Sequence, residues 1–186
     1  DSINRLDQKP DEIIVVNDGS TDETGKLAEQ TGVKVIHQEN QGPAIARNTG
    51  VQNASGEIIV FTDSDCIADH NFLAEMTEPF SDSSIVGVKG AYRTRQQTLW
   101  ARFAQVEFME RYAKLGRSKT IDFVDSYAAA FKKSVFLEAG GFDPHFPVAN
   151  NEDVDLSYKI AAQGHPMVFN PKAIVYHTHP DSMVRY

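Results

Sequence analysis

Short apolar runs recur along the first half of the chain, each closed by a polar turn. Residues 12–16 (Glu-Ile-Ile-Val-Val) enter Asn17-Asp18-Gly19-Ser20-Thr21-Asp22. A continuously apolar run of this length, ended by turn residues, predicts a strand buried on both faces. Residues 22–30 then read as a helix, with Ser20 or Thr21 as cap and Gly32 as stop. Residues 33–37 are a second strand, and 42–54 a helix opening at Gly42-Pro43, since proline is tolerated in a first turn. Gly56 ends that helix. A third buried strand, 57–62 (Glu-Ile-Ile-Val-Phe-Thr), runs into Asp63-Ser64-Asp65. Residues 71–80 are helical and 85–91 a strand. This alternation predicts an α/β chain with a mostly parallel sheet and helices on both faces. Such sheets bind ligands at the carboxyl ends of their strands. The acidic turns at Asp18 and at Asp63/Asp65 would then share one polar crevice.

The second half has a different texture. Residues 98–115 carry Leu99, Trp100, Phe103, Val106, Phe108, Tyr112 and Leu115, a broad apolar stripe at helical spacing. The stripe reads as a helix packed on the sheet. The alternative is an interfacial helix touching lipid, with Arg102, Arg111, Lys114 and Arg117 on its polar side. Residues 125–131 predict a strand, 134–139 a short helix stopped by Gly140-Gly141, and 152–163 an amphipathic helix ending at Gly164. A last strand, 173–176, leads into His177-Thr178-His179-Pro180. No repeat or linker marks a second domain.

Composition narrows the function classes. Lys and Arg number 18 against 26 Asp and Glu in 186 residues, a net charge of -8. Phosphate neutralisation needs clustered cations, so a dedicated nucleic-acid binder is not expected. The one cysteine, Cys66, excludes an intrachain disulfide and a Cys-rich zinc site. The apolar runs fall far short of the roughly 20 residues of a membrane-spanning helix. With no signal peptide or lipidation motif, a cytoplasmic location is expected.

Three acidic segments can carry chemistry. In Asp63-Ser64-Asp65, two carboxylates one residue apart at a strand end can converge on a hard divalent cation such as Mg²⁺ or Mn²⁺. The plain alternative is a solvated turn. A calcium hand fails, because Ala68 and Ala74 stand where glycine and glutamate are needed. The segment Asp63-Ser64-Asp65-Cys66-Ile67 also resembles the haloacid-dehalogenase motif, with Asp63 as nucleophile. In 17–22, Gly19 permits a tight turn close to a ligand, and Asp18 can accept hydrogen bonds from a base or sugar; an ordinary turn with a helix cap is the plainer reading. No dinucleotide or P-loop glycine pattern is present. In Glu152-Asp153-Val154-Asp155-Leu156 the acids suit a helix's first turn. Phe142, Phe146 and Val148 just before them suggest instead a partly enclosed carboxylate, a candidate general base. His177 and His179 alternate at a strand end, as metal ligands or as surface histidines.

Together these segments closely resemble the family 2 glycosyltransferases, with their nucleotide-diphospho-sugar transferase (GT-A) fold. The stretches that carry the likeness are residues 12–22, 42–50 (Gly-Pro-Ala-Ile-Ala-Arg-Asn-Thr-Gly), 59–65 (Ile-Val-Phe-Thr-Asp-Ser-Asp), 140–143 (Gly-Gly-Phe-Asp) and 152–156. In order and spacing they cover roughly residues 10–180. The resemblance implies one GT-A domain over 1–186, with a nucleotide-binding half (1–91) and an acceptor and catalytic half (92–186). It implies nucleotide contacts from Asp18, Gly19, Arg47, Asn48, Asp63 and Ser64, with Asp18 reading the base. Asp65 and Asp63 match the metal-binding pair, with His177 as an additional ligand. Glu152-Asp153 match the acidic pair that supplies the catalytic base, the second member being the usual base.

Two features depart from the family pattern. The strand ending in Pro-x-Tyr/Phe-Asn, with which members generally begin, is not seen, so the sheet is expected without its first strand. Asn17 replaces the usual first Asp of the Asp-Asp-Gly-Ser motif. The Gln-x-x-Arg-Trp motif of the processive synthases is not found, which favours transfer of one sugar. The implied reaction is a metal-dependent, inverting transfer from a nucleotide-diphospho-sugar to a saccharide or lipid-linked acceptor. A cytoplasmic enzyme, peripheral at the inner membrane face through 98–115, would fit polysaccharide or glycoconjugate synthesis. A phosphohydrolase, a nucleotidyltransferase and a non-catalytic nucleotide-sugar-binding module are the alternatives.

Overall fold

A computed structural model describes residues 2–146 and 151–179. The elements run β1 (Ile14–Asp18), α1 (Thr24–Gln30), β2 (Lys34–Gln38), α2 (Pro43–Asn53), β3 (Ile58–Thr62), β4 (Ile67–Ala68), α3 (Phe72–Thr77) and β5 (Gly87–Arg93). They continue with α4 (Leu99–Leu115), β6 (Ala128–Lys132), α5 (Lys133–Glu138), α6 (Glu152–Ala162) and β7 (Met167–Tyr176). The start of α1 is not capped by Ser20 or Thr21. Asp22 Oδ1 accepts the Thr24 N–H at 3.0 Å, while the Ser20 N–H is taken by Asn17 Oδ1 at 3.1 Å.

The strands form two sheets. β1 and β2 pair in parallel; the larger sheet has the order β3-β6-β5-β7-β4. There the expectation of a mostly parallel sheet needs correction. β5–β7 is parallel, but β3–β6, β5–β6 and β4–β7 are antiparallel. An apolar run says that a strand is buried, not which way it points, so the late insertion of β6 between β3 and β5 has no local signal. β7 is also longer than expected, because Asn170-Pro171-Lys172 interrupt its apolar pattern without ending it. The β5–β7 register slips between Lys89 and Ala91 at this point. Gly90 accommodates the slip: a Cβ there would lie 2.6 Å from the Ala173 carbonyl oxygen.

Helices cover both faces, as expected. Alternate residues of β6 serve opposite cores, Ala128 and Ala130 packing with Phe72, Met76 and Tyr112. Ala129 and Phe131 pack with Val51, Phe136, Phe142, Leu156 and Ile160. Two expectations of burial fail. Every residue of β1 is half-buried, and so are Ile58–Phe61 of β3. Among the described residues β1 pairs only with β2 and β3 only with β6, so each keeps an open edge. On α4, Ala101, Ala104 and Tyr112 face the core, whereas Leu99, Phe103 and Val106 of the stripe are exposed. No helix among the described residues is long and apolar enough to cross a membrane.

Candidate active site

The strand β3 ends at Thr62 and the chain turns at once, the Cys66 N–H closing on the Asp63 carbonyl at 3.1 Å. This turn presents Asp63, Asp65 and the exposed Ser64. Arg47, from α2, reaches the turn from below. Its Nη2 donates to Asp63 Oδ1 at 3.2 Å and its Nη1 to Glu152 Oε1 at 2.7 Å. One guanidinium therefore joins the turn after β3 to the first residue of α6, which lies 105 positions from Arg47 itself. Its Cζ also lies 5.8 Å from the Phe142 ring centroid. Glu152 is almost wholly buried, at 2% exposure. On the other side of the turn, Asp65 Oδ2 meets His177 Nε2 at 3.1 Å. His177 stacks on Tyr92, with ring centroids 4.8 Å apart.

The donor set suits a hard cation. Carboxylate oxygens of Asp63 and Asp65 and the thiol of Cys66 lie within 4.8 Å of one another. Burial, reinforced by the charges of Asp63 and Asp65, pushes the Cys66 thiol up to about 12. Hard cations prefer carboxylate oxygens to sulfur, so Asp63 and Asp65 are the natural ligands of this group. Two carboxylates with imidazole alongside fit Mn²⁺ or Mg²⁺.

The turn after β1 is built differently. Asp18 Oδ1 accepts from Gln38 Nε2 at 2.7 Å and from the Gln41 N–H at 2.9 Å, and its Oδ2 accepts the Gly42 N–H at 2.8 Å. The carboxylate thus fastens the loop that opens α2. Gly19 has φ +73°, and a Cβ there would sit 2.7 Å from the Asn40 nitrogen. The close approach anticipated at Gly19 is made to this chain's own backbone. Asn48 is committed in the same way: Nδ2 donates to the Phe142 carbonyl at 2.7 Å, and Oδ1 accepts the Phe142 N–H at 2.9 Å.

At the start of α6 the three acids meet three different partners. Glu152 holds Arg47, while Asp155 pairs with Lys159 one turn on at 2.7 Å. Asp153 Oδ2 accepts the Ser126 N–H at 2.8 Å, its Oδ1 accepts the Val154 N–H at 2.9 Å, and its carbonyl takes the Ser157 hydroxyl at 2.6 Å. Asn151, just before them, is left-handed at φ 91°, a conformation that asparagine tolerates better than most residues. Val148 and Pro180 lie outside the described residues, as does part of the 144–151 loop.

Comparison with known proteins decides the family. Residues 1–139 match the family described as Glycosyl transferase family 2. The chain belongs to that family. It is 28% identical over 183 residues to a poly-beta-1,6-N-acetyl-D-glucosamine synthase of Staphylococcus aureus, covering 92% of this chain and 44% of the relative. It is 27% identical over 177 residues to the pre-mycofactocin glycosyltransferase of Mycobacterium tuberculosis, covering 90% of this chain and 37% of that one. The chain thus spans less than half the length of these relatives.

Among solved structures, the mannosyltransferase PcManGT of Pyrobaculum calidifontis, in complex with GDP-Man and Mn²⁺, superposes with a TM-score of 0.77. That match has 24% identity and covers 98% of this chain and 52% of the other. GalNAc-T7 with UDP, GalNAc and Mn²⁺ gives 0.70 at 22% identity, covering 90% and 38%. These likenesses establish the fold, and the expected GT-A architecture is borne out.

The stretch matched to family 2 contains Asp18, Arg47, Asp63 and Asp65, whereas Glu152, Asp153 and His177 lie beyond it. Two contacts cross that boundary: Arg47 joins Asp63 to Glu152, and Asp65 meets His177. Residues that the sequence reading missed lie around Asp153. They are Ser126, whose N–H holds it, and Lys89, Asp125 and Tyr127 beneath it. A signal existed: Lys89 is the sole charge in the apolar run 85–91.

Proposed function

We propose that this family 2 chain carries the sugar-transferring site of a metal-dependent, inverting glycosyltransferase. It would move one sugar from a nucleotide-diphospho-sugar to a saccharide or lipid-linked hydroxyl in polysaccharide or glycoconjugate synthesis. The observation that carries this reading is Arg47, whose guanidinium holds both Asp63 of the turn after β3 and Glu152, the neighbour of Asp153. A divalent cation, Mn²⁺ or Mg²⁺, held by Asp65 and Asp63 with His177 beside them, would neutralise charge on the departing diphosphate.

The chain's own residues do the rest. Asp153 takes the proton of the acceptor hydroxyl as it attacks. Two backbone N–H groups fix the plane of its carboxylate, and an oxygen can hold free lone pairs beside each of those bonds. Attack from the face opposite the diphosphate inverts the anomeric centre. Glu152 braces α6 through Arg47. Asp18 and Gly19 set the loop that borders the nucleotide, Asn48 holds the Phe142 backbone, and the exposed Ser64 lines the turn. Residues 1–91 thus serve the donor and 92–186 the acceptor. Exposed Leu99, Phe103 and Val106 on α4, with exposed Arg102 and Lys114 beside them, give a cytoplasmic enzyme its contact with the inner membrane face. The synthase and glycosyltransferase relatives support the reaction class, and the GDP-Man, UDP and Mn²⁺ in the superposed structures support the donor class and the metal.

The test is a thermal-shift panel of UDP, GDP, dTDP and their sugars, with Mn²⁺ and with EDTA. Stabilisation by at least one diphosphate, lost on chelation, is the expected result. Stabilisation that ignores EDTA overturns the metal-dependent reading.

A further inference from the structure

Lys89 lies in the middle of β5 with no exposed surface. Burying an ammonium costs several kcal/mol unless its partners are well placed, and an apolar residue would serve the strand better. Its partners all come from one short segment. Asp125 forms an ion pair with Nζ, the Tyr127 hydroxyl lies 3.2 Å away, and the rings of Phe123 and Tyr127 have centroids 5.1 and 5.0 Å from it. Burial and the charge of Arg111 lower the pKa of this ammonium, and the charge of Asp153 acts the other way.

The same segment carries the start of α6. Ser126, between Asp125 and Tyr127, donates its N–H to Asp153. The Val124 N–H goes to the Ser157 hydroxyl at 3.0 Å, which in turn donates to the Asp153 carbonyl. Tyr127 is tied further, its hydroxyl 3.0 Å from that of Tyr112, which accepts the Tyr92 N–H at 2.7 Å. Residues 123–127 are therefore gripped from the sheet by Lys89 and themselves hold the Asp153 carboxylate through the Ser126 N–H.

We propose that Lys89 is a positioning residue for Asp153, anchoring residues 123–127 so that the Ser126 N–H sets the direction of that carboxylate. The proposal rests on Asp153 being the base. A lysine that merely filled the core would influence stability and every kinetic constant alike; a positioning lysine acts on the proton-transfer step alone.

The test is a double-mutant cycle on the full-length enzyme, read as transfer rate and donor KM. Lys89→Met should lower kcat by tenfold or more, with donor KM and nucleoside diphosphate affinity within twofold. In the Asp153→Asn background, Lys89→Met should change the residual rate by less than twofold. An equal loss in both backgrounds, or wild-type kcat in Lys89→Met, overturns the positioning role. Near-normal transfer by Asp153→Asn alone overturns the base reading instead, so the two failures are distinguishable. If Lys89→Met does not fold, the same cycle is run with Lys89→Met/Asp125→Asn, which removes both charges and demands the same pattern.

Discussion

Two apolar strands, β1 and β3, run into acidic turns, and the two turns are built differently. After β1, Asp18 receives three donors from the 38–42 loop, two of them backbone N–H groups. After β3, Asp65 has a side chain 66% exposed, whose Oδ2 meets the His177 ring. Asp63 shares Arg47 with Glu152. The first carboxylate organises a loop; the second pair stays available to a cation. The difference lies in what the rest of the chain delivers to each turn. A nearby loop with free N–H groups comes to Asp18, whereas side chains come to the second turn, Arg47 of α2 to Asp63 and His177, just past β7, to Asp65.

The comparison can be broken at four places. Asp153→Asn should have the largest effect, since it keeps shape but cannot take a proton. Transfer should fall by about two to four orders of magnitude while donor affinity holds; near-normal turnover would remove the base from the Asp63 side. Next, Arg47→Met deprives two acids of a shared cation, one of them Glu152 at 2% exposure. A loss of about 3 kcal/mol in urea unfolding is expected. Unchanged stability with a raised donor KM would return Arg47 to the nucleotide contact that the family resemblance implies.

A smaller effect belongs to the metal pair. Asp65→Ala, or chelation, should weaken nucleoside diphosphate binding at least tenfold, about 1.4 kcal/mol, by isothermal titration calorimetry. The smallest effect on the donor belongs to Asp18→Asn, which places an amide N–H against a backbone N–H and should instead cost about 1–2 kcal/mol of stability. Its effect on donor binding should stay under tenfold. A donor defect as large as that of Asp65→Ala, with stability intact, would make the two turns alike and give Asp18 its base-reading role.

Much of this was legible in the chain. Apolar runs ending in Asn17-Asp18-Gly19 and Asp63-Ser64-Asp65 placed two strands and both turns, because those signals are local. The direction of β6 was not, since Ala128–Lys132 would look the same in either orientation. The short β4 was missed because two residues carry no period. Arg47 reads as a nucleotide contact in the sequence, which carries no sign of its bond to Glu152, 105 residues on. Exposure of Leu99, Phe103 and Val106 was likewise hidden, since a stripe wide enough to bury does not say which part is covered.

The guanidinium shared by Asp63 and Glu152 also makes the two ends of the crevice answerable to each other. A cation settling on Asp63 would draw charge from the carboxylate whose Oδ1 Arg47 holds. Any change in that hold is felt at Glu152, and hence at the first turn of the helix that begins there. Such coupling is reciprocal: an acceptor that alters the helix must alter affinity at Asp63 by the same factor. On the proposed assignment, the filling of one substrate seat would be thermodynamically registered at the other through a single side chain.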